Sequence, residues 1–273
     1  MNAIQSLTNL LAERAELDKT LASKLQKSIL QEAIQGHLVP QDPTDEPAEE
    51  LLKRIHKEKE KLVKEGKLKR KDVVESYIFK GDDNKYYEKC GKSITDIDED
   101  IPFIIPQNWS WVRLKQVCSD FIVPQRDKPT AFGGNIPWCR IEDIEGKYLN
   151  GSKSNQLVTK ELASQMNMHL CPKGTVICAC SASIGNQAIT TVECYTNQTF
   201  IGLVCDSRIL YNEYLYYFFM SQKQVLRDMG KGTTISYISR KKFENYYFPL
   251  PPINEQKRIV AKIEQALASI MSI

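Results

Sequence analysis

The sequence predicts a mixed α+β chain in which one globular domain is flanked by long helices. Three observations lead there. Ile4, Leu7, Leu11, Leu21 and Leu25 fall at spacings of three, four or their multiples, the period of one helix face. Between residues 106 and 252, strand-like runs such as "IPWCRIEDI", "GTVICACSAS" and "NQTFIGLVCD" interleave with helical runs. Finally, "PLPPINEQKRIVAKIEQ" at 249–265 sets prolines in front of a renewed helical period at Ile259, Val260 and Ile263.

The first element is a helix over 4–35 with Gly36 as its C-terminal cap. At 1.5 Å per residue it forms a rod of roughly 48 Å. Such a rod needs a partner to cover its apolar stripe. Prolines 40, 43 and 47 make 37–47 an extended connector. "AEELLKRIHKEKEKLVKEG" is a second helix, capped by Asp45 or Glu46, opened by Pro47 and closed by Gly66. Its Lys/Glu pairs form a solvated face, and "KEGKLKRKD" ends it in a basic tip. "SYIFKGDDNKYYEK" reads as a hairpin turning at Gly81–Asn84. "PFIIPQNWSWVRL" enters the main domain, with Trp109 and Trp111 alternating as in a strand. Within that domain "TKELASQM" is a short helix capped by Thr159, and "LYNEYLYYFFMSQKQVLRDMG" is one helix ended by Gly230. The organisation is therefore 1–36 long helix, 37–105 connector with second helix and hairpin, 106–252 globular domain, and 253–273 the start of a distal helix.

Charge is informative only by segment. Residues 107–252 hold 16 Lys+Arg against 11 Asp+Glu, a net +5, whereas the whole chain carries +3, so the remainder carries −2. A modestly basic domain suits a polyanion, though many ordinary domains are equally basic. No apolar run approaches the roughly 18–20 residues of a membrane helix. The N-terminal stretch lacks the basic lead of a secretory signal, so the expectation is a cytoplasmic chain without a membrane. The 8 cysteines form no C-x-x-C, and the 3 histidines form no H-x-x-x-H. They read as small buried thiols, with no metal site.

Motifs for catalysis are missing. There is no P-loop, no G-x-S-x-G and no G-x-G-x-x-G. "LPPI" at 250–253 resembles an amino-methyltransferase motif only superficially. Leu250 and Ile253 can neither hold a target amine nor stack on a base. "IEDIEG" at 141–146 is a surface turn rather than a metal nuclease cluster.

Three polar loops carry more. "VPQRDKP" at 123–129 holds Arg126 and Lys128. "SASIGNQ" at 181–187 holds Ser181 and Ser183. "KGTTISYISRKK" at 231–242 holds Lys231, Thr233, Thr234, Tyr237, Arg240 and Lys241. Arg and Lys bind guanine edges or phosphates, and hydroxyls make mixed base contacts. Three such loops on one domain would form a DNA-reading surface; the same loops read equally as a solvated surface. Asn197–Gln198 is better read as amides satisfying the backbone of a turn.

The opening of the last helix resembles the "PLPP…EQ+RIV" run of the specificity subunits of type I restriction-modification systems. "KLQKSILQEAIQGHLVPQDPTDEPAEELLKRIHKEKEKLVKEGK", "YIFKGDDNKYYEK", "IPQNWSWVRL", "IPWCRIEDI", "CPKGTVICACSASIGNQAI", "TNQTF" and "GTTISYISRKKFENYYFPLPPINEQKRIVAKIE" resemble the same family in the same order. The resemblance implies a bacterial or archaeal protein with no catalytic site. It implies target-recognition domains that each read half of a split double-stranded DNA site, held apart by conserved helices. It also implies partners: methyltransferase subunits and restriction subunits, which use S-adenosylmethionine, ATP and magnesium, none of them held by this chain. Here only one recognition domain is present, so the chain resembles a C-terminal half or a half-length form. Recognition loops vary in this family, so the resemblance does not assign the loop residues.

The proline-rich exit then has a purpose. Proline fixes the departure angle, Asn254 caps the helix, and Glu255 lies at its positive end. The stripe of Ile259, Val260, Ile263, Leu267 and Ile270 and that of Leu7, Leu11, Leu21 and Leu25 are candidates to cover each other, within one chain or in a homodimer. The alternative is that the last helix packs only on its own domain. A second reading of the whole is a protein-interaction scaffold for the methyltransferase with little DNA affinity; a third is a silent half.

Overall fold

The computed structural model describes residues 3–67, 73, 76–124, 127–231 and 236–271. Helix α1 (Ala3–Gln35) is a single rod. It ends in a left-handed turn at Gly36, φ 81°. There the His37 amide donates to the Glu32 carbonyl at 2.9 Å and the Gly36 amide to that of Ala33 at 3.4 Å, the paired bonds that close a helix C-terminus. A Cβ on Gly36 would collide with the Pro106 ring, so both φ and space demand glycine.

Helix α2 (Ala48–Lys64) buries Ala48, Leu51 and Ile55 and turns its lysines and glutamates outward. Its expected caps are engaged elsewhere. Pro47 is the residue before the helix, not its first, and no side chain caps it. The Asp45 carboxylate instead accepts from Arg258 at 2.7 Å, and Glu46 from Arg54 at 2.9 Å. Strands β1 (Ser76–Lys80), β2 (Tyr86–Cys90) and β3 (Ser93–Asp96) form an antiparallel meander, one strand more than the hairpin predicted. The β1–β2 turn uses Asn84 at φ 66°.

The globular domain is closed at its neck. Strand β4 (Ser110–Arg113), where the chain enters, leads into the single-turn helix α3 (Leu114–Val117). The domain's body is built from β5 (Cys118–Ile122), β6 (Ile136–Cys139), β7 (Tyr148–Leu149), β8 (Leu157–Val158), α4 (Lys160–Gln165), β9 (Val176–Ala179), β10 (Gln187–Thr190), β11 (Tyr195–Thr196) and β12 (Phe200–Cys205). Thr159 caps α4 as the sequence suggested, its hydroxyl accepting from the Leu162 amide at 3.1 Å. Helices α5 (Asn212–Ser221), α6 (Lys223–Met229) and α7 (Arg240–Glu244) follow, then β13 (Tyr247–Leu250) and α8 (Ile253–Met271). Strand β13 pairs antiparallel with β4, so entry and exit lie side by side. The single helix predicted over 210–230 is two, because the Gln222 amide bonds to both the Phe218 and Phe219 carbonyls.

The main sheet has the order β5-β12-β9-β10-β7, antiparallel except for β7. It is covered on both faces. Along β9, Val176 and Cys178 join a core shared with α1, α2, α5 and α8, while Ile177 and Ala179 join a second core with Cys139, Leu149, Cys171 and Cys194. All the cysteines are free: Cys118, Cys139, Cys171, Cys178, Cys180 and Cys194 are buried as expected, Cys205 is half-buried and Cys90, on β2, is exposed. Burial holds the Cys180 thiol up at about 11, which keeps it protonated and inert.

The arms meet the domain at one junction. Glu255, fully buried, accepts from the Gln41 amide at 2.6 Å and from Asn108 at 3.4 Å. Gln41 also reaches the Gly36 carbonyl at the end of α1. Buried Gln256 accepts from the Tyr211 amide at 2.8 Å and donates to the Ile209 and Pro251 carbonyls at 2.9 Å each. The α8 helix starts at Ile253, so Asn254 lies inside its first turn and does not precede it as a cap. α1 arrives where α8 departs, and Ile259, Val260 and Ile263 pack in the same core as Leu30, Ala33 and Ile34.

Burial pushes the Glu255 carboxyl above its ordinary range. The Asn108 Oδ1 atom beside it has no partner. A glutamine at 255 keeps an acceptor for Gln41 and, with the Asn108 amide flipped, gives Oδ1 a donor. Glu255→Gln is therefore expected to change stability by less than about 1 kcal/mol, whereas Glu255→Ala leaves the Asn108 amide unpaired and Gln41 with only its bond to Gly36, and costs about 2–3 kcal/mol. Urea unfolding of the two variants checks this.

Candidate nucleic-acid interface

Sheet register decides which loops are neighbours. Phe200 opens β12 opposite Ala179, the end of β9, and Gly202 lies opposite Ile122, the end of β5. Gln187 opens β10 opposite Cys178. The segments following β5 and β9 and preceding β10 and β12 therefore leave the sheet at one end. A fourth segment joins them: Ser181 and Tyr237 form an isolated bridge, and the Ile238 amide donates to the Cys180 carbonyl at 2.8 Å. Helix α6 supports the group from the side, with Arg227 donating to the Ile184 carbonyl at 3.3 Å and Ile184 packed against Gly230.

This loop end carries most of the sequence-predicted residues. Lys128 is exposed, its ammonium 5.7 Å from the Phe132 ring centroid. Ser181 and Ser183 are half-buried, and Tyr237 is 43% exposed. Lys231 is exposed and pairs with Asp228 at 2.5 Å. Arg126, Thr233 and Thr234 lie outside the described residues. Arg240 is turned away: it donates to Glu244 at 2.6 Å, approaches Asp120 at 4.0 Å and lines the groove between α2, the meander and β5. Lys241 is exposed on α7.

Gln198 and Asn186 are exposed at the same loop end. Gln198 was not among the predicted contacts, because Asn197–Gln198 read as a turn. That reading holds for Asn197 alone, whose Oδ1 accepts from the Thr199 hydroxyl at 2.5 Å and amide at 3.3 Å. Sequence period could not separate the two; only the register that puts Phe200 first in β12 frees Gln198. The result is a surface of amides, hydroxyls and lysines, the groups that contact base edges and phosphates. Among the described residues no group of three or more His, Cys, Asp or Glu is placed to hold a metal ion, and no helix is long and apolar enough to cross a membrane.

The predicted helix-pairing residues divide. Ile259 and Ile263 are buried and Leu267 is half-buried against the core. Leu11, Leu21 and Leu25 are exposed, at 59%, 51% and 37%, so within the chain they do not cover the α8 stripe. That task falls to Leu30, Ala33 and Ile34, one to three turns further along α1. The Leu7 side chain lies outside the described residues.

The domain thus has a closed neck, a polar loop end and two helices leaving its base. A family model described as the type I restriction modification DNA specificity domain matches residues 106–272, and the chain belongs to that family. It is 29% identical over 256 residues to the EcoAI specificity subunit of Escherichia coli, covering 89% of this chain and 39% of the relative. The MjaIX specificity subunit of Methanocaldococcus jannaschii is 26% identical over 160 residues, 57% of this chain and 37% of that one. The chain thus spans less than half the length of these curated relatives. The HsdS subunit of Thermoanaerobacter tengcongensis shares the fold, with a TM-score of 0.51 at 19% identity over 98% of this chain and 50% of that one. A chain from a type I restriction-modification complex gives 0.52 at 19% identity over 94% of this chain and 53% of its own length.

Ala182, at the tip between Ser181 and Ser183, holds a left-handed φ of 53°. That conformation costs a residue with a Cβ about 1 kcal/mol. Ala182→Gly is expected to leave stability unchanged or raise it by up to about 1 kcal/mol in thermal unfolding, despite glycine's entropy cost elsewhere.

Proposed function

We propose that the chain is a non-catalytic specificity module of a type I restriction-modification complex. Its loop end reads one half of a split double-stranded DNA site, and its helices carry that reading to methyltransferase and restriction subunits. The observation that carries this reading is the convergence of four polar segments at one end of the main sheet, on a domain with net charge +5 (16 Lys+Arg, 11 Asp+Glu over 107–252). S-adenosylmethionine, ATP and magnesium would then be used by the partner subunits.

The exposed leucines of α1 favour a further step. Leu17, Leu21 and Leu25 repeat every fourth residue and are exposed, with no partner helix along that stretch among the described residues. A second copy supplies a matching stripe, and a two-fold dimer would read a two-fold symmetric split site. The same leucines suit a scaffold that docks the methyltransferase and adds little DNA affinity, so DNA selection separates the two readings.

From random duplex DNA, the purified chain with its methyltransferase subunit is expected to select one short half-site, and alone as a dimer the same half-site as an inverted repeat. Recovery of no shared sequence would favour the scaffold. Lys128→Ala and Lys231→Ala are each expected to weaken binding and to lower the slope of log K against log salt by up to about 1, as loss of one phosphate contact does. Titrations across salt concentrations check this. Light scattering is expected to give twice the 31.2 kDa chain mass at micromolar concentration, and a monomer there rules out the dimer.

A further inference from the structure

We propose that Lys147 is a positioning residue: by clamping α8 to the DNA-reading domain at a second point, it fixes the helix direction and so the separation of half-sites. This rests on the DNA-reading function proposed above.

Lys147 directly precedes β7, and its carbonyl accepts from the Ile189 amide of β10 at 2.9 Å, which pins its backbone to the main sheet. Its ammonium donates to Glu213 of α5 at 2.6 Å and to Glu264 of α8 at 2.6 Å. The Tyr217 hydroxyl also donates to Glu264, at 3.3 Å. The Tyr148, Tyr216 and Tyr217 rings surround the ammonium with centroids at 5.5, 6.0 and 5.0 Å. The lysine side chain is 14% exposed, so this is a largely desolvated clamp and not a surface pair. Desolvation works against the charge, but the bonds to Glu213 and Glu264 outweigh it and hold the lysine above its ordinary range.

Buried Ile259, Val260 and Ile263 seat the inner turns of α8, and a polar anchor further out fixes the direction of the turns beyond them. Glu255 and Gln256 are the first anchor of α8. Glu264 lies nine residues beyond Glu255, about 13 Å along the helix. A tilt of about 10° at the base of α8, roughly 28 Å long over its 19 residues, moves its far end by roughly 5 Å, more than one base-pair step of about 3.4 Å. A protein that reads two half-sites through rods therefore depends on the second anchor for spacing, and not for the bases read.

The test uses the full chain alone, the form expected to select an inverted repeat, and random duplex DNA. Lys147→Met with Glu213→Gln removes both enclosed charges and keeps their shapes. Glu264→Gln is a milder variant whose side chain is 47% exposed, and it carries the test if the double variant does not fold. Either folded variant is expected to select the wild-type half-site bases. Spacers one base pair longer or shorter are expected to be recovered at least 5-fold more often than with wild type. A folded variant that keeps the wild-type spacer distribution overturns the positioning role. Wild type that recovers no half-site overturns the DNA-reading function itself, a separate outcome.

Discussion

The architecture depends on burying two adjacent polar side chains, Glu255 and Gln256, at the start of α8. Burying a carboxylate and an amide costs several kcal/mol unless each finds partners. They find them on three different stretches of chain: the connector after α1 through Gln41, the domain entrance through Asn108, and the start of α5 through Tyr211 and Ile209. This arrangement satisfies both residues at once. The cost of burial thus ties the three stretches together at the junction. Arg258 with Asp45 adds an ion pair on its outer side.

From that junction the division of labour follows. The β4–β13 pair brings domain entry and exit together, so both arms leave one base. The main sheet is buried on both faces, so the loops at its end are the part free to vary without disturbing a core. Helix α5, with Tyr214, Phe218 and Phe219 buried, fills the layer between sheet and arms. On the proposed function, the loop end and the helical arms are the working parts, joined by one packed body.

Much of this is legible in sequence, and the failures share a cause. α1, α2, the Gly36 stop and the Thr159 cap rest on local period and local hydrogen bonds, which a sequence displays directly. The caps assigned to Asp45 and Asn254 fail because a tertiary partner, Arg258, claims the first, and because α8 begins one residue before the second. The third strand of the meander, "SITD", is too short and polar to announce itself. The short strands of the domain are visible singly, but their order β5-β12-β9-β10-β7 depends on pairings between distant residues. That order decides which loops meet. It gathers Lys128, Ser181, Ser183, Lys231 and Tyr237 and adds Gln198. It sends Arg240 to Asp120 and Glu244, where a basic cluster read from the sequence alone would not put it.

The central claim is that DNA meets the loop end of the main sheet and nothing else on the domain. Hydrogen exchange of the chain with and without its selected duplex measures this most directly. Protection confined to 123–130, 180–186, 197–199 and 231–239 is the predicted result. Protection centred on α2 and the meander, with those segments unchanged, would contradict it.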